Sequence, residues 1–172
     1  MLTVAKSLGQ LRFSALMDVY REGNQENGEA LYPHLSAQEQ LIRAEQDFYT
    51  YLTDCFFRTP DAAYYIWSEN GRYVSALRLE PYQDGLLLEA LETHPEYRGR
   101  GFAKKLIHAV LETAEYERIY VHISRRNAPS IAVHTACGFR KILDHAVYAD
   151  GSVLRSSDTY RYEKPTQNGD AP

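Results

Sequence analysis

The sequence predicts an α/β fold in which helices flank a mixed sheet of parallel and antiparallel strands. An apolar strand, a short Arg/Gly loop, an amphipathic helix and a second strand follow one another from Leu86 to Ser124. This order implies a right-handed crossover between two parallel strands. Asn70-Gly71 and Asp150-Gly151 each separate two strand-like runs, which is typical of antiparallel hairpins.

The length and composition indicate one globular domain. The chain has 172 residues, of which 44% are hydrophobic and 24% charged, and these values suit a single domain with a sizeable core. We expect this domain to span residues 1–164 and the polar segment 165–172 to be a flexible tail. Cys55 and Cys137 are too few and too isolated for a disulfide framework or a zinc site.

Charge and hydropathy argue against two classes of partner. A formal net charge of −4 provides no electrostatic footprint for nucleic acid. No window approaches the roughly 18 apolar residues of a membrane span, and the first residues, MLTVAKSLGQLRF, do not resemble a secretory signal. We therefore expect a cytoplasmic protein without nucleic-acid or membrane partners.

The amino-terminal third is predicted to contain two helices. Leu8–Tyr20 has a helical stripe of apolar residues, whereas Arg21–Pro33 contains Gly and Asn turn signals without a period and is predicted to be a loop. Ser36 is a favourable N-cap, and Glu39 completes a capping box for a helix that continues to about Phe57. The aromatic stripe of this helix indicates a core face, and the alternative is the wall of a substrate groove.

The first strands are predicted from apolar runs and the turns between them. Met1–Lys6 is a candidate first strand, and Ala62–Ser68 forms a hairpin with Tyr73–Leu79 around Asn70-Gly71. Leu86–Thr93 begins with three leucines in a row, which favours burial on both faces, as in a central strand.

The second half is predicted to complete the crossover and to end in a hairpin. In Arg118–Ser124, β-branched residues alternate with a tyrosine, a histidine and a serine, so the two sets face opposite sides of the sheet. Asn127 caps a short helix that ends at Gly138, and Phe139–Val147 pairs with Val153–Glu163. The helix after the Arg/Gly loop is predicted to bury Ala103, Leu106, Ile107, Val110 and Ala114.

The loop Arg98-Gly99-Arg100-Gly101 is a candidate anion site. A ligand can approach the backbone closely at the two glycines, and the N–H groups lie at the positive end of the next helix. Such a loop can hold a phosphate or diphosphate, and the alternative is a connection with solvated arginines. A Walker loop would need Gly-Lys-Ser/Thr where Gly101-Phe102-Ala103 stands, and a dinucleotide fingerprint would need a third glycine.

Two sequence motifs carry a resemblance to a known family. Arg98-Gly99-Arg100-Gly101-Phe102-Ala103 matches a Gln/Arg-x-x-Gly-x-Gly/Ala signature, and Leu91-Glu92-Thr93-His94-Pro95 is similar to a Leu-x-Val-x-Pro run. Asn127–Phe139 is similar to a second motif that usually closes in Tyr-x-x-x-Gly-Phe. Over about residues 86–140 the chain thus resembles the GNAT N-acetyltransferases. The resemblance implies the GNAT fold, a mixed sheet whose two central parallel strands splay apart, and acetyl-CoA as the donor.

The resemblance also implies a donor site. Backbone amides from Gly99 to Lys104 would bind the diphosphate of coenzyme A, and the strand end Leu91–Thr93 would pair with the pantetheine arm like an added strand. Asn127 would contact the cofactor, and a plain helix cap explains it equally well. No metal is expected, because the histidines have no ligand spacing with acids. The implied contacts are Leu91, Glu92, Thr93, Arg98, Gly99, Arg100, Gly101, Phe102, Ala103, Lys104 and Asn127.

Acetyl transfer to an amine requires two proton transfers, since the amine must lose a proton and the departing thiolate must gain one. His134 occupies the place of a tyrosine that often supplies the second proton, so it is a candidate general acid, and the alternative is a packed histidine. His122 and Glu89 are the candidate general bases. His122 titrates in a suitable range, and Glu89 lies inside an apolar strand, where a carboxylate is costly unless it is functional or paired with a cation.

The resemblance implies an N-acetyltransferase that transfers the acetyl group of acetyl-CoA to a primary amine of a small molecule or peptide by direct attack in a ternary complex. The alternative is a non-catalytic coenzyme A-binding or regulatory domain, in which His134 marks lost chemistry. In the family that the chain resembles, acceptor specificity depends on the first two helices and the late hairpin, here Leu8–Phe57 and Tyr148–Tyr160. The resemblance also allows a homodimer through the late strands.

Overall fold

The computed structural model describes residues 1–113 and 115–165. The helices are α1 (Phe13–Leu31), α2 (Ala37–Asp54), α3 (Phe102–Thr113) and α4 (Ala128–Ala136), with short 3₁₀ turns at Leu8–Gln10, Phe56–Arg58 and Pro95–Tyr97. The strands are β1 (Leu2–Ala5), β2 (Ala63–Glu69), β3 (Arg72–Tyr82), β4 (Gly85–Thr93), β5 (Arg118–Ser124), β6 (Arg140–Leu143), β7 (Ala146–Val147), β8 (Val153–Leu154) and β9 (Ser157–Glu163).

The predicted mixed sheet is confirmed. Seven strands are arranged in the order β1-β2-β3-β4-β5-β9-β6, and β7 and β8 form a separate two-stranded ribbon. The β4–β5 pair is parallel, as the strand–helix–strand order predicts, and the other neighbours in the sheet are antiparallel. The central position of β4 agrees with its three buried leucines, Leu86, Leu87 and Leu88.

The sheet separates two apolar cores. One core lies under α1 and α2 and includes Leu16, Leu52 and Tyr64. The other contains Leu106 and Ile107 of α3. Strand β3 contributes alternate residues to the two cores, with Ala76 on the α1 side and Leu77 and Leu79 on the α3 side. This alternation follows from the twofold side-chain period of a strand.

The predicted loop at Arg21–Pro33 is wrong, because α1 continues through it to Leu31. The helix also begins later than predicted, because Leu8–Gln10 forms a 3₁₀ turn and α1 starts at Phe13. Two of the residues that signal turns, Asn24 and Gly28, are used for packing instead. Asn24 is buried and its Nδ2 donates to Met17 Sδ at 3.3 Å. A Cβ at Gly28 would lie 2.5 Å from the backbone oxygen of Gln40, so the glycine permits close contact with α2.

The start of α2 is confirmed in detail. The Ser36 hydroxyl accepts a hydrogen bond from Glu39 N at 3.4 Å, and Glu39 Oε2 accepts one from Ser36 N at 3.0 Å. The helix ends at Asp54, slightly before the predicted end. The predicted core face is confirmed in part: Leu52 and Phe56 are buried and Phe48 packs against that core, whereas Ile42 and Tyr49 are exposed.

The predicted final hairpin is only partly correct. The turn at Asp150-Gly151 is present, and Gly151 N donates to Tyr148 O at 2.9 Å. The strands on either side break up, however, because β9 pairs with both β5 and β6 while β7 pairs with β8 alone. One contact accompanies the break. Thr159 of β9 donates its hydroxyl proton to the carbonyl oxygen of His145 at 2.7 Å, between β6 and β7.

The parallel strands β4 and β5 diverge after three residue pairs. Their register runs from Leu86↔Ile119 to Leu88↔Val121 and then stops. Beyond that point β4 stays with β3, where a register shift next to Arg78 marks a bulge. Ala90 at the bulge has a φ of 51°, a left-handed conformation that is uncommon for a residue with a side chain. The bulge turns the end of β4 away from β5 and opens a cleft between them.

The remaining sequence predictions concern the ends of elements. The buried face of α3 is confirmed for Leu106, Ile107 and Val110, and Ala103 is partly buried. Ala114 and residues 166–172 of the predicted tail lie outside the described residues. Within residues 1–113 and 115–165, no helix is long and apolar enough to cross a bilayer.

We predict that Gly28→Ala lowers the free energy of unfolding by about 1–3 kcal/mol, since the added methyl group overlaps the backbone of α2. Urea unfolding followed by circular dichroism measures this change. Gly23→Ala is the matched control, because a Cβ there has no atom within 4 Å. The control is expected to gain up to about 1 kcal/mol from helix propensity. Equal effects of the two substitutions would contradict the packing role of Gly28.

Candidate functional site

The Arg/Gly loop presents open backbone at the start of α3. Gly99 and Gly101 have φ values of 74° and 78°, and a Cβ at either position would have no atom of residues 1–113 or 115–165 within 4 Å. Positive φ favours glycine, so the shape of this loop requires the glycines at positions 99 and 101. The first α-helical turn starts here, because Lys105 N donates to Gly101 O at 3.0 Å. The first N–H groups of a helix have no intrahelical partner, so the start of α3 is a candidate anion site.

A cleft of about 630 Å³ extends from this loop to the diverging end of β4. Ten of the eleven predicted coenzyme A contacts line it, and the exception is Arg100, whose guanidinium lies 5.2 Å from the Tyr97 ring centre. Residues of α1 that the sequence analysis missed form the opposite wall, and Glu22 is one of them. The ten lining residues are Leu91, Glu92, Thr93, Arg98, Gly99, Gly101, Phe102, Ala103, Lys104 and Asn127.

Arg98 connects the loop to both walls of the cleft. Its Nε donates to the carbonyl oxygen of Thr93 at 3.1 Å, and its Nη1 donates to Glu22 Oε2 at 2.5 Å. Its Nη2 lies 3.8 Å from Glu92 Oε2. Burial raises the pKa of the Glu92 carboxyl, and Arg98 opposes that rise. Arg98 therefore supports the shape of the cleft through contacts within the protein.

A second, smaller cavity of about 280 Å³ lies beside the first. It contains all three predicted catalytic residues, Glu89, His122 and His134, together with Arg78 and Tyr148. The two cavities meet where β4 and β5 separate. Their shared lining residues are Leu91, Glu92, Asn127 and Ser130.

Glu89 is paired with a cation that the sequence analysis did not single out. Arg78 faces it directly across the β3–β4 pair, and both Nε and Nη2 of Arg78 donate to Glu89 Oε2, at 3.2 and 3.0 Å. The Arg78 guanidinium also lies 4.7 Å from the Tyr51 ring centre. Oε1 of Glu89 makes no hydrogen bond with the described residues and remains available at the cavity. The signal for this pair was the presence of opposite charges in two adjacent strands that are otherwise largely apolar.

His122 has both ring nitrogens in internal contacts. Nδ1 lies 2.9 Å from Thr159 Oγ1, and Nε2 lies 3.1 Å from the carbonyl oxygen of Val147. The Thr159 hydroxyl already donates to the His145 carbonyl, and a carbonyl oxygen only accepts. Burial lowers the pKa of His122, so the neutral ring can donate to only one of these partners. In this position His122 attaches the β7–β8 ribbon, and the ribbon's Tyr148 packs against it at 5.2 Å between ring centres.

His134 is almost fully buried on α4, with 1% of its surface exposed. Its Nδ1 lies 2.8 Å from the carbonyl oxygen of Ser130, and its ring packs edge-on against Phe139. Nε2 is a buried nitrogen without a hydrogen-bond partner among the described residues. Burial lowers the pKa of His134, and the bond to Ser130 only partly offsets this effect. A neutral ring is therefore the stable form at neutral pH.

Asn127 combines a structural role with a position in the site. Its Oδ1 accepts a hydrogen bond from Ser130 N at 3.1 Å, which is the predicted helix cap. It also lines both cavities. In the part of the chain that the structure describes, no group of three or more His, Cys, Asp or Glu residues could hold a metal ion.

The comparison with known families agrees with this geometry. Residues 28–139 match the Acetyltransferase (GNAT) family. This match covers most of the chain, including β4, the Arg/Gly loop and α4, so the protein belongs to the GNAT acetyltransferase family. A search of curated protein sequences finds no significant match.

Solved structures share the fold along nearly the whole chain. PaiA N-acetyltransferase from Thermoplasma acidophilum, in complex with coenzyme A, has a TM-score of 0.62 and 13% identity over 95% of this chain and 99% of its own. The ribosomal-protein-S18-alanine N-acetyltransferase from Escherichia coli has a TM-score of 0.61 and 15% identity over 100% and 99%. PH1933 from Pyrococcus horikoshii has a TM-score of 0.64 and 12% identity over 96% and 99%. At these identities the likeness shows the fold alone.

We predict that Arg78→Met lowers the free energy of unfolding by on the order of 3 kcal/mol, because the largely buried Glu89 carboxylate loses its cation. The double variant Arg78→Met/Glu89→Gln is expected to recover part of this loss, since it removes the unpaired charge. Urea unfolding at pH 7 compares the two. A double variant as unstable as the single one would contradict the ion pair as the reason why Glu89 tolerates burial.

Proposed function

We propose that this protein transfers the acetyl group of acetyl-CoA to a primary amine of a small molecule or peptide by direct attack in a ternary complex. The observation that carries the proposal is the junction of two cavities at the point where β4 and β5 diverge. The larger cleft suits the donor and the smaller cavity suits the acceptor. The two substrates would then meet at Leu91 and Asn127 without leaving the protein.

The donor assignment rests on the larger cleft. The amides from Gly99 to Lys104 would bind the diphosphate, because they combine open backbone with a helix N-terminus. Among the described residues, no strand pairs with the end of β4, Leu91–Thr93, on its β5 side, and this edge would pair with the pantetheine. The coenzyme A complex of the Thermoplasma acidophilum protein supports a donor of this class.

The acceptor assignment rests on the charge and size of the smaller cavity. Its volume of about 280 Å³ admits a small amine or the end of a peptide. Among the described residues that line it, Glu89 and Glu92 supply carboxylates and Arg78 supplies a cation, while Arg98 lies 3.8 Å from Glu92 on the side of the larger cleft. A cationic amine would therefore be favoured over an anionic acceptor. The named acceptors of structural neighbours differ, and a ribosomal protein and spermidine are among them.

We propose that Glu89 is the general base that removes the first proton from the acceptor ammonium. Oε2 is held by Arg78, so the side chain is fixed while Oε1 can accept a proton directly or through water. His122 is the weaker candidate for this role, because both of its ring nitrogens are used by the β7–β8 ribbon and β9. In this proposal His122 positions Tyr148 at the wall of the acceptor cavity.

The proposal is tested by release of free thiol from acetyl-CoA over a panel of amines that includes polyamines, amino-acid amides and short peptides. Turnover of at least one amine, with formation of its N-acetyl product, is the expected result. Coenzyme A binding without turnover of any amine would favour the alternative of a non-catalytic coenzyme A-binding domain. Failure to bind coenzyme A would contradict both functions.

We predict that Gly101→Ala weakens coenzyme A binding by about tenfold, or about 1.4 kcal/mol, because an alanine is strained at this φ and places a methyl group at the open backbone. Isothermal titration calorimetry measures the affinity. Gly71→Ala is the matched control, since Gly71 has a similar φ of +76° and equally open space in the β2–β3 turn. A comparable loss in both variants would point to general strain and against the loop as the anion site.

Glu89→Gln is expected to lower kcat/KM for the amine by about 100-fold, the usual scale for loss of a general base. The KM for acetyl-CoA should change little, because Glu89 lines only the smaller cavity. Glu80→Gln is the control, since Glu80 is a half-buried carboxylate on the neighbouring strand that does not line the cavity. If Glu89→Gln retains full activity, the proton must leave by another route.

A further inference from the structure

The orphaned nitrogen of His134 carries an inference that deepens the proposed function and rests on it. Among the described residues, Nε2 of His134 is a buried side-chain nitrogen with no hydrogen-bond partner of either kind. An unpartnered buried polar atom carries a free-energy cost. The imidazole also lines the cavity assigned to the acceptor. A group that supplies a proton to Nε2 would remove this cost.

The contacts of the ring fix which nitrogen can act. The carbonyl oxygen of Ser130 only accepts hydrogen bonds, so Nδ1, at 2.8 Å, must carry the proton that it donates. The Ser130 hydroxyl lies 3.3 Å from the same nitrogen. In the neutral ring Nε2 therefore holds a lone pair. His134 can accept a proton before it can donate one, which the resemblance to a tyrosine acid does not predict.

The proton balance of the reaction includes a step for a group that first accepts a proton and then donates it. An acceptor that arrives as an ammonium ion has three protons on nitrogen, and the amide product retains one. Glu89 removes the first proton before attack. The second is still on nitrogen after the new carbon–nitrogen bond has formed, when the carbon–sulfur bond has yet to break. The sulfur needs one proton as it departs.

We propose that His134 is a proton shuttle, whose Nε2 accepts the second proton from the acetylated nitrogen and passes it to the departing sulfur. The bond from nitrogen to the acetyl carbon forms first, and Nε2 then takes a proton from that nitrogen. As the carbon–sulfur bond breaks, Nε2 transfers this proton to the sulfur, and the neutral ring is restored. One amide and one thiol are formed, and the first proton leaves through Glu89.

The surroundings of His134 favour a ring that gains and loses a proton within one cycle. The imidazolium keeps its bond to Ser130, so accepting a proton requires no rearrangement of α4. Phe139 packs on the ring, and the ionisable groups around the same cavity are Arg78, Glu89, Glu92, His122 and Tyr148. Burial disfavours the imidazolium, so the proton is transferred onward readily.

The tautomer is tested by NMR of the whole protein labelled with ¹⁵N-histidine, without substrate. At pH 7.5 the signals that disappear in His134→Phe are expected to show a protonated Nδ1 and an unprotonated Nε2. On acidification the ring should become charged only below the usual histidine pKa of about 6.5. A proton on Nε2, or an imidazolium at pH 7.5, would overturn the shuttle whatever the activity of the enzyme.

The chemical role is tested with the best amine of the panel. His134→Gln keeps a hydrogen-bond acceptor but cannot carry the proton, and it is expected to lower kcat by about 100-fold with the KM for acetyl-CoA unchanged within about twofold. His134→Phe should lose as much, and its circular dichroism and thermal unfolding check the fold. His108→Gln, an exposed histidine of α3, is the control and should retain wild-type kcat.

The pH dependence separates a shuttle from a group that only donates. The shuttle requires a neutral ring before attack, so kcat should fall as the pH drops through the His134 pKa measured by NMR, and this limb should be absent in His134→Gln. A folded His134→Gln enzyme with wild-type kcat would overturn the shuttle and leave the acetyltransferase intact. Absence of turnover with every amine would overturn the proposed function and the shuttle with it.

Discussion

The arrangement of this site depends on the interruption of one hydrogen-bonded ladder. Strands β4 and β5 pair only from Leu86 to Leu88, and the bulge at Ala90 then directs β4 away from its neighbour. Backbone N–H and C=O groups in a protein interior require partners. Among the described residues, the end of β4 from Leu91 to Thr93 has no paired strand on its β5 side, although Arg98 Nε donates to the carbonyl oxygen of Thr93. We therefore expect an extended ligand to pair with this edge. Both cavities exist because the ladder stops there.

The bulge also determines which side chains reach the cleft. Arg78 and Glu89 face each other next to the register shift, and their ion pair places one carboxylate oxygen at the smaller cavity. On the other side, α4 begins at the Asn127 cap and carries His134 to the same space. The site is therefore assembled from elements whose main contacts stabilise the fold. The chemistry that we propose uses polar atoms of the described residues that those contacts leave without partners.

The sequence predicted the parts of this structure that depend on local rules. The capping box at Ser36, the hairpin at Asn70-Gly71 and the crossover after Leu86 follow from capping, turn chemistry and periodicity. The extension of α1 through Gly28 was missed because tertiary packing against α2 overrides the turn signals. The partner of Glu89 and the orphaned nitrogen of His134 depend on strand register and on three-dimensional contacts, which no local pattern encodes.

The central claim is that coenzyme A completes the free edge of β4 and is held by the loop before α3. Amide hydrogen exchange, measured residue by residue with and without coenzyme A, tests it most directly. Exchange at Leu91–Thr93 and Gly99–Lys104 should slow by about tenfold or more, since bound amides exchange only when they open. Binding that leaves both segments at their original rates would contradict the account.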